Sequence, residues 1–218
     1  MHKPFAIFDM DGTLVDSMGY WQRLGREYLA SCGVREGVDE VLERIKAMTM
    51  AESSALFIQC FGIPGTPETV MAEMNAVMDA HYRRDIPLKP GAKDYLDALK
   101  ARGVKLCVAT ATPKDLAEAC LARLGVAQEL DVLISCDEVS AGKDRPDVFL
   151  EAARRLGGAP EETAVYEDAF FALQTAKNAG FYTVGVWDES GAEQWEALGA
   201  LADSTIRDWH AAAQKIKF

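Results

Sequence analysis

The chain has 218 residues, 49% hydrophobic and 26% charged, which is enough apolar material for one large domain or a core with an insert, and too much for a disordered chain. Its net charge of −11, with no Lys/Arg run longer than Arg83-Arg84, excludes the basic face of a nucleic-acid binder. No apolar run reaches the ~20 residues of a membrane span, and Met1 to Phe5 carries no signal-peptide core, so a cytoplasmic protein is expected, monomeric by default.

The first predicted element is a strand at Phe5-Ala-Ile-Phe8. Residues 17 to 85 then contain no convincing strand. Trp21, Leu24 and Tyr28 share one helical face, Val38, Val41, Leu42 and Ile45 a second, and Val70, Met74, Val77, Met78 and His81 a third. This stretch reads as a helical insert whose exits are Val15 to Met18 and Arg84 to Pro90.

Strands and helices alternate after the insert. Tyr95, Leu96 and Leu99 form a helical face before a strand at Val104 to Ala109; Leu116, Ala119, Cys120 and Leu124 form one after it. Further strands are expected at Val132 to Ser135, Thr163 to Tyr166 and Tyr182 to Val186. Val148, Phe149, Ala152 and Leu156 mark one intervening helix, and Leu173, Ala176 and Ala179 the next. Gly103, Gly125, Gly157 and Gly180 stand where glycine C-caps belong. Short continuous apolar runs suit strands covered on both faces, so the expectation is an α/β fold with a doubly wound parallel sheet. The five cysteines, Cys32, Cys60, Cys107, Cys120 and Cys136, are odd in number and without metal-ligand spacing; they read as reduced, mostly packed thiols.

The chemistry concentrates at Asp9-Met-Asp11-Gly12-Thr13. An apolar strand runs straight into two carboxylates at i, i+2, at the strand end where ligands of open α/β sheets bind. One carboxylate can attack phosphorus beside a hard cation, and the other can carry the proton. The alternative is a pair of solvated turn aspartates, since Asp-x-Asp-Gly is common in turns. Further along, Thr112, Pro113 and Asp115 read as a helix start with Thr112 as cap, and a helix N-terminus favours anions. Lys143 is a point charge of the sign a phosphate needs. Glu167 and Asp168 leave a strand side by side, so both reach one cation only if the strand ends there.

Asp9-Met-Asp-Gly-Thr-Leu-Val-Asp-Ser17 resembles the first signature of the haloacid dehalogenase-like hydrolase superfamily, within it the β-phosphoglucomutase and phosphoglycolate phosphatase-like group with a helical cap. Ala109-Thr110-Ala111-Thr112, Lys143 and Glu167-Asp168 resemble the later signatures, in order. The resemblance implies a Rossmann-like core of strand order 5-4-1-2-3 over residues 1–16 and 86–218, with a helical cap over 17–85. It implies Asp9 as nucleophile and Asp11 as acid and base, with Thr110, Ala111 and Lys143 on the phosphate. Mg²⁺ would lie among Asp9, the Asp11 carbonyl, Asp168 and Glu167. Two departures stand out: Asp144 and Arg145 intervene before Pro146, and Ala169-Phe-Phe-Ala172 replaces the usual serine and glycine turn.

The implied function is a Mg²⁺-dependent phosphatase that hydrolyses a small phosphorylated metabolite through an aspartyl-phosphate. The nearest rival is a β-phosphoglucomutase-like mutase. It is disfavoured because Ala47-Met-Thr-Met-Ala51 lacks the cap arginine and Met18-Gly-Tyr20 lacks the cap histidine that the resemblance leads one to expect. A rival of another class is a non-catalytic phosphoryl-binding regulatory module. His2, His81 and His210 form no triad with a serine. Met18, Tyr20, Trp21 and Met48-Thr49-Met50 are the insert residues through which a cap would set specificity.

Overall fold

The computed structural model describes residues 3–45 and 48–217; Ala47, in the stretch read for a cap arginine, lies outside them. Six parallel strands form one sheet in the order β3-β2-β1-β4-β5-β6. They are β1 Phe5–Phe8, β2 Lys105–Thr110, β3 Val132–Ser135, β4 Thr163–Glu167, β5 Tyr182–Val186 and β6 Ser204–Ile206. Five of these follow the expected order. The sixth, β6, is an addition that the sequence did not announce: it has three residues, two of them exposed, so it makes no apolar run.

The central strands are buried along almost their whole length, as both-face coverage requires. Register places Phe8 beside Val108 on one side and Tyr166 on the other. The chain turns one way from β1 through β2 to β3, and the other way through β4, β5 and β6. The crevice at the carboxyl end of β1 is therefore a topological switch point, where α/β sheets hold ligands. Behind β1, Phe8 stacks on Tyr166 with ring centroids 4.2 Å apart, and Tyr95 and Trp209 close the cluster.

The chain folds as two units, Met1–Ser17 with Ile86–Phe218, and Met18–Asp85. The first contains the sheet. Its two crossings to the second are paired: Val15 bridges Leu88, and the Asp16 amide donates to the Pro87 carbonyl at 2.9 Å.

The second unit consists of α1 Met18–Ser31, α2 Val38–Ile45, α3 Met50–Phe61 and α4 Pro67–Arg84. Leu24, Tyr28, Phe57, Val70, Met74 and Met78 form its core. Gly25 lets three helices close up, because a Cβ there would lie 3.0–3.1 Å from Leu42, Ile45 and Phe57. The periodicity of the sequence marks three helical faces and leaves α3 unmarked, although Thr49 and Glu52 form a reciprocal capping box at its start. Trp21 donates its indole N–H to Tyr82 at 3.1 Å, and the Tyr20 hydroxyl donates to the Asp85 carbonyl at 3.3 Å. Both residues, like Thr49, thus have structural partners within this unit.

The first unit's remaining helices are α5 Ala92–Ala101, α6 Lys114–Arg123, α7 Asp147–Leu156, α8 Phe170–Asn178, α9 Trp195–Leu201 and α10 Trp209–Lys217. Cys107, Cys120 and Cys136 are packed in this unit, whereas Cys32 and Cys60 of the other are exposed; all five are free thiols.

Candidate active site

The site begins where β1 stops. The Asp9 amide still donates to the Tyr166 carbonyl at 2.9 Å, and the chain then curls so that the Leu14 and Val15 amides both donate to the Met10 carbonyl. Gly12 makes the curl possible with φ +81°, and a Cβ at this position would lie 2.4 Å from an Asp168 carboxylate oxygen. Only a residue without a side chain fits between the curl and Asp168.

Asp9, Glu167 and Asp168 each offer a carboxylate oxygen within 4.8 Å of the others. Glu167 ends β4, so the next residue leaves the pleat and both acids reach the same space. Lys143 is buried among them. Its ammonium donates to Asp9 and, at 2.6 Å, to Glu167. The second Glu167 oxygen accepts the Ala169 amide at 3.2 Å. Thr13 donates its hydroxyl to Asp168 at 2.8 Å.

Three clustered acids, two of them bound to one ammonium and the third half-buried beside them, leave negative charge uncompensated. Burial and then the Glu167 carboxylate lift the Asp9 carboxyl from 3.8 to about 6, against the pull of Lys143. Burial, followed by Asp9 and Glu167, holds Asp168 well above the usual carboxylate range. Burial also disfavours the Lys143 charge, yet the two carboxylates outweigh it and keep the ammonium more basic than an ordinary lysine. A clustered, all-oxygen, partly uncompensated donor set of this kind fits Mg²⁺.

Asp11 is placed differently. Its carboxylate lies outside the acid cluster; Ser17 and Thr112 each donate a hydroxyl to it at 2.7 Å. α6 starts after Pro113, which as a proline offers no side-chain cap, and the Thr112 hydroxyl just before it donates its proton to Asp11 while keeping its lone pairs as acceptors. Thr110 ends β2, fully buried, and its oxygen accepts the Thr112 amide at 3.0 Å. Ala111 is exposed beside it. Arg145, left open by the sequence, faces solvent and pairs with Asp147 at 3.1 Å. Of the residues replacing the usual serine turn, Phe170 opens α8 and Phe171 is 58% exposed.

The family model described as haloacid dehalogenase-like hydrolase matches residues 5–180. The chain belongs to this family. Among the relatives of this hydrolase, the validoxylamine A 7'-phosphate phosphatase of Streptomyces hygroscopicus subsp. limoneus is 35% identical, over 94% of this chain and 95% of its own. The fructose-1-phosphate phosphatase YqaB of Escherichia coli is 29% identical, over 85% of this chain and 98% of its own. Among solved structures, a candidate beta-phosphoglucomutase from Thermotoga maritima superposes with a TM-score of 0.83 at 26% identity, covering 100% of this chain and 99% of that one.

The hydrolase also has site neighbours that its sequence does not disclose. Lys89 forms a buried ion pair with Asp188 at 2.8 Å, donates to the Trp187 carbonyl at 2.7 Å, and draws the Asp168 carboxyl downward. Trp209 donates its indole N–H to the Thr13 carbonyl at 3.2 Å. Lys89 gave no signal because a lone lysine before Pro90 resembles any surface lysine. Thr13 stood inside the first signature, but nothing in its spacing disclosed the bond to Asp168.

Proposed function

We propose that this hydrolase is a phosphatase, a phosphoric monoester hydrolase acting on a small phosphorylated sugar or sugar-like polyol. The observation that carries the reading is the convergence of Asp9, Glu167 and Asp168 at the carboxyl ends of β1 and β4, with Lys143 bound to the first two. The names of the relatives support the substrate class: one acts on validoxylamine A 7'-phosphate, one on phosphorylated carbohydrates and one on fructose-1-phosphate.

In this reading Asp9, Asp168 and the Asp11 carbonyl would hold Mg²⁺, which when bound would offset charge on the phosphoryl oxygens. Both Glu167 oxygens are engaged by Lys143 and Ala169, which favours a role in aiming the ammonium over direct ligation. An Asp9 oxygen attacks phosphorus, the ester O–P bond breaks, and the alkoxide takes a proton from Asp11. Water then attacks the aspartyl-phosphate, Asp11 removes its proton, and phosphate leaves. Ser17 and Thr112 hold Asp11 in one orientation for both transfers. The Thr110 oxygen accepts from the Thr112 amide, so its own proton is free to donate to a phosphoryl oxygen. Lys143 and the Ala111 backbone complete the hold on the phosphate. The helical unit, 18–85, is the cap in this reading, and the sheet unit is catalytic.

A mutase is the second reading, favoured by the structural likeness to the Thermotoga maritima protein. The test is phosphate release from a panel of sugar and polyol phosphates, with Mg²⁺ and with a chelator. Release from at least one, abolished by chelation and by Asp9→Asn, supports hydrolysis. Bisphosphate-dependent conversion of β-glucose 1-phosphate without net release supports the mutase. Neither activity supports the phosphoryl-binding module.

A further inference from the structure

A second concavity lies on the sheet unit, away from the acid cluster. It is lined by the early residues of β4, β5 and β6 (Ala164, Tyr182, Ser204) and by α10, and has a volume of about 500 Å³, the size range of small-ligand sites. Part of its wall is apolar and aromatic: Val184, Ile206, Ile216 and the Tyr182 ring.

Two further observations point to what it takes. The first is charge. Lys3, Arg207 and Lys215 line it against a single acid, Asp208, on a chain of net charge −11. Asp208 accepts the Ala211 amide at 3.1 Å near the start of α10, so three cations still face one acid. Lys215 has no ion-pair partner among the described residues, and Arg207 lies over the Trp187 ring, 4.3 Å from its centroid.

The second is a spare proton. Tyr95 and Tyr166 both line the cavity, each only 5% exposed, and their hydroxyls lie 3.0 Å apart. Two hydroxyls bring two protons, and the bond between them uses one. The other has no acceptor among the described residues and is available to a ligand in the cavity.

We infer that this cavity is a second ligand site, separate from the acid cluster, for a small aromatic anion. The ring lies against Tyr182, Val184 and Ile206; the anionic group meets Arg207 and Lys215; the spare tyrosine proton meets an acceptor on the ligand. Shape alone would make this an ordinary surface groove. The local reversal of charge, together with a tyrosine pair that keeps one proton to give, is what singles it out.

The test is a fluorescence titration of the folded chain, in Mg²⁺, with anilinonaphthalene sulfonate. The wild type should bind one equivalent saturably. Ala212→Trp, which fills the cavity, and the double variant Arg207→Glu/Lys215→Glu should each weaken binding by about tenfold or more with unchanged melting. The charge-reversal pair lies on the rim, so it decides the matter if the filled variant does not fold. Absence of saturable binding, or wild-type affinity in both variants, overturns the site; loss in the filled variant alone overturns its preference for an anion.

Discussion

The Lys143 ammonium lies 2.6 Å from Glu167, and the same ammonium donates to Asp9. One buried cation thus binds two carboxylates, one just past β1 and one ending β4, with Asp168 beside them. Its removal should be costly in the metal-free protein, because breaking a buried pair leaves charge unpaired, at about 3–5 kcal/mol. Lys143→Met is expected to lose stability on that scale in urea unfolding with chelator present, and to recover part of it in Mg²⁺. Unfolding indistinguishable from wild type would contradict this.

Thr13 supplies the hydroxyl that steadies Asp168. Partners behind a metal ligand commonly contribute about 10–100-fold in metal affinity. Thr13→Val keeps the shape and removes the donor. The Mg²⁺ concentration for half-maximal activity should rise by about that factor, with kcat at saturating metal changed far less. A fall in kcat with unchanged metal requirement would show that Thr13 acts otherwise.

Asp9 gives the protein a pH signature. Its carboxyl titrates near 6 in the folded chain against an ordinary 3.8. The folded state therefore binds more protons than the unfolded state across that window, and metal-free stability falls as pH rises through it. A divalent cation binds the ionised form, so the Mg²⁺-induced rise in Tm should be small near about pH 5 and reach its plateau above about pH 7. Thermal melts with and without Mg²⁺ across this range provide the check, and a constant increment would refute the assignment.

His81 reports on the helical unit by itself. Burial opposes its charge, but Glu27 at 2.9 Å and Asp85 at 2.8 Å grip its two ring nitrogens and raise its pKa above 6.5. A raised base stabilises fully below its unfolded pKa and loses that contribution as pH rises through the folded value. His81→Leu should therefore melt well below wild type near about pH 6, and the gap should narrow towards about pH 9. A gap that widens with pH would reverse the sign.

Most of the sheet was legible because each inner strand is a short apolar run that ends in a chemically distinct residue: Phe8 before Asp9, Ala109 before Thr110, Tyr166 before Glu167. The residues after Val186 were not. A six-residue 3₁₀ stretch, the seven-residue α9 and the three-residue β6 are too short to show a period. Among site residues, Asp9, Lys143 and Asp168 could be found from strand ends and from the family's signatures. The hydroxyls of Ser17 and Thr112 on Asp11, and the ion pair of Lys89 with Asp188, join positions up to 101 residues apart. Only the folded chain brings those together. Thr112 shows the limit most clearly: its sequence context is that of a helix start, and nothing in that context disclosed that its hydroxyl donates to Asp11.

The central claim is that Asp9 carries the phosphoryl group during turnover, and peptide mapping by mass spectrometry tests it most directly. Protein acid-quenched while hydrolysing a sugar phosphate in Mg²⁺ should carry one phosphoryl group on the peptide containing Asp9, more of it in Asp11→Asn, where attack by water is slowed by roughly 10²–10⁴-fold. Sustained turnover with that peptide unmodified in both proteins, or a phosphoryl group on another residue, would contradict the account.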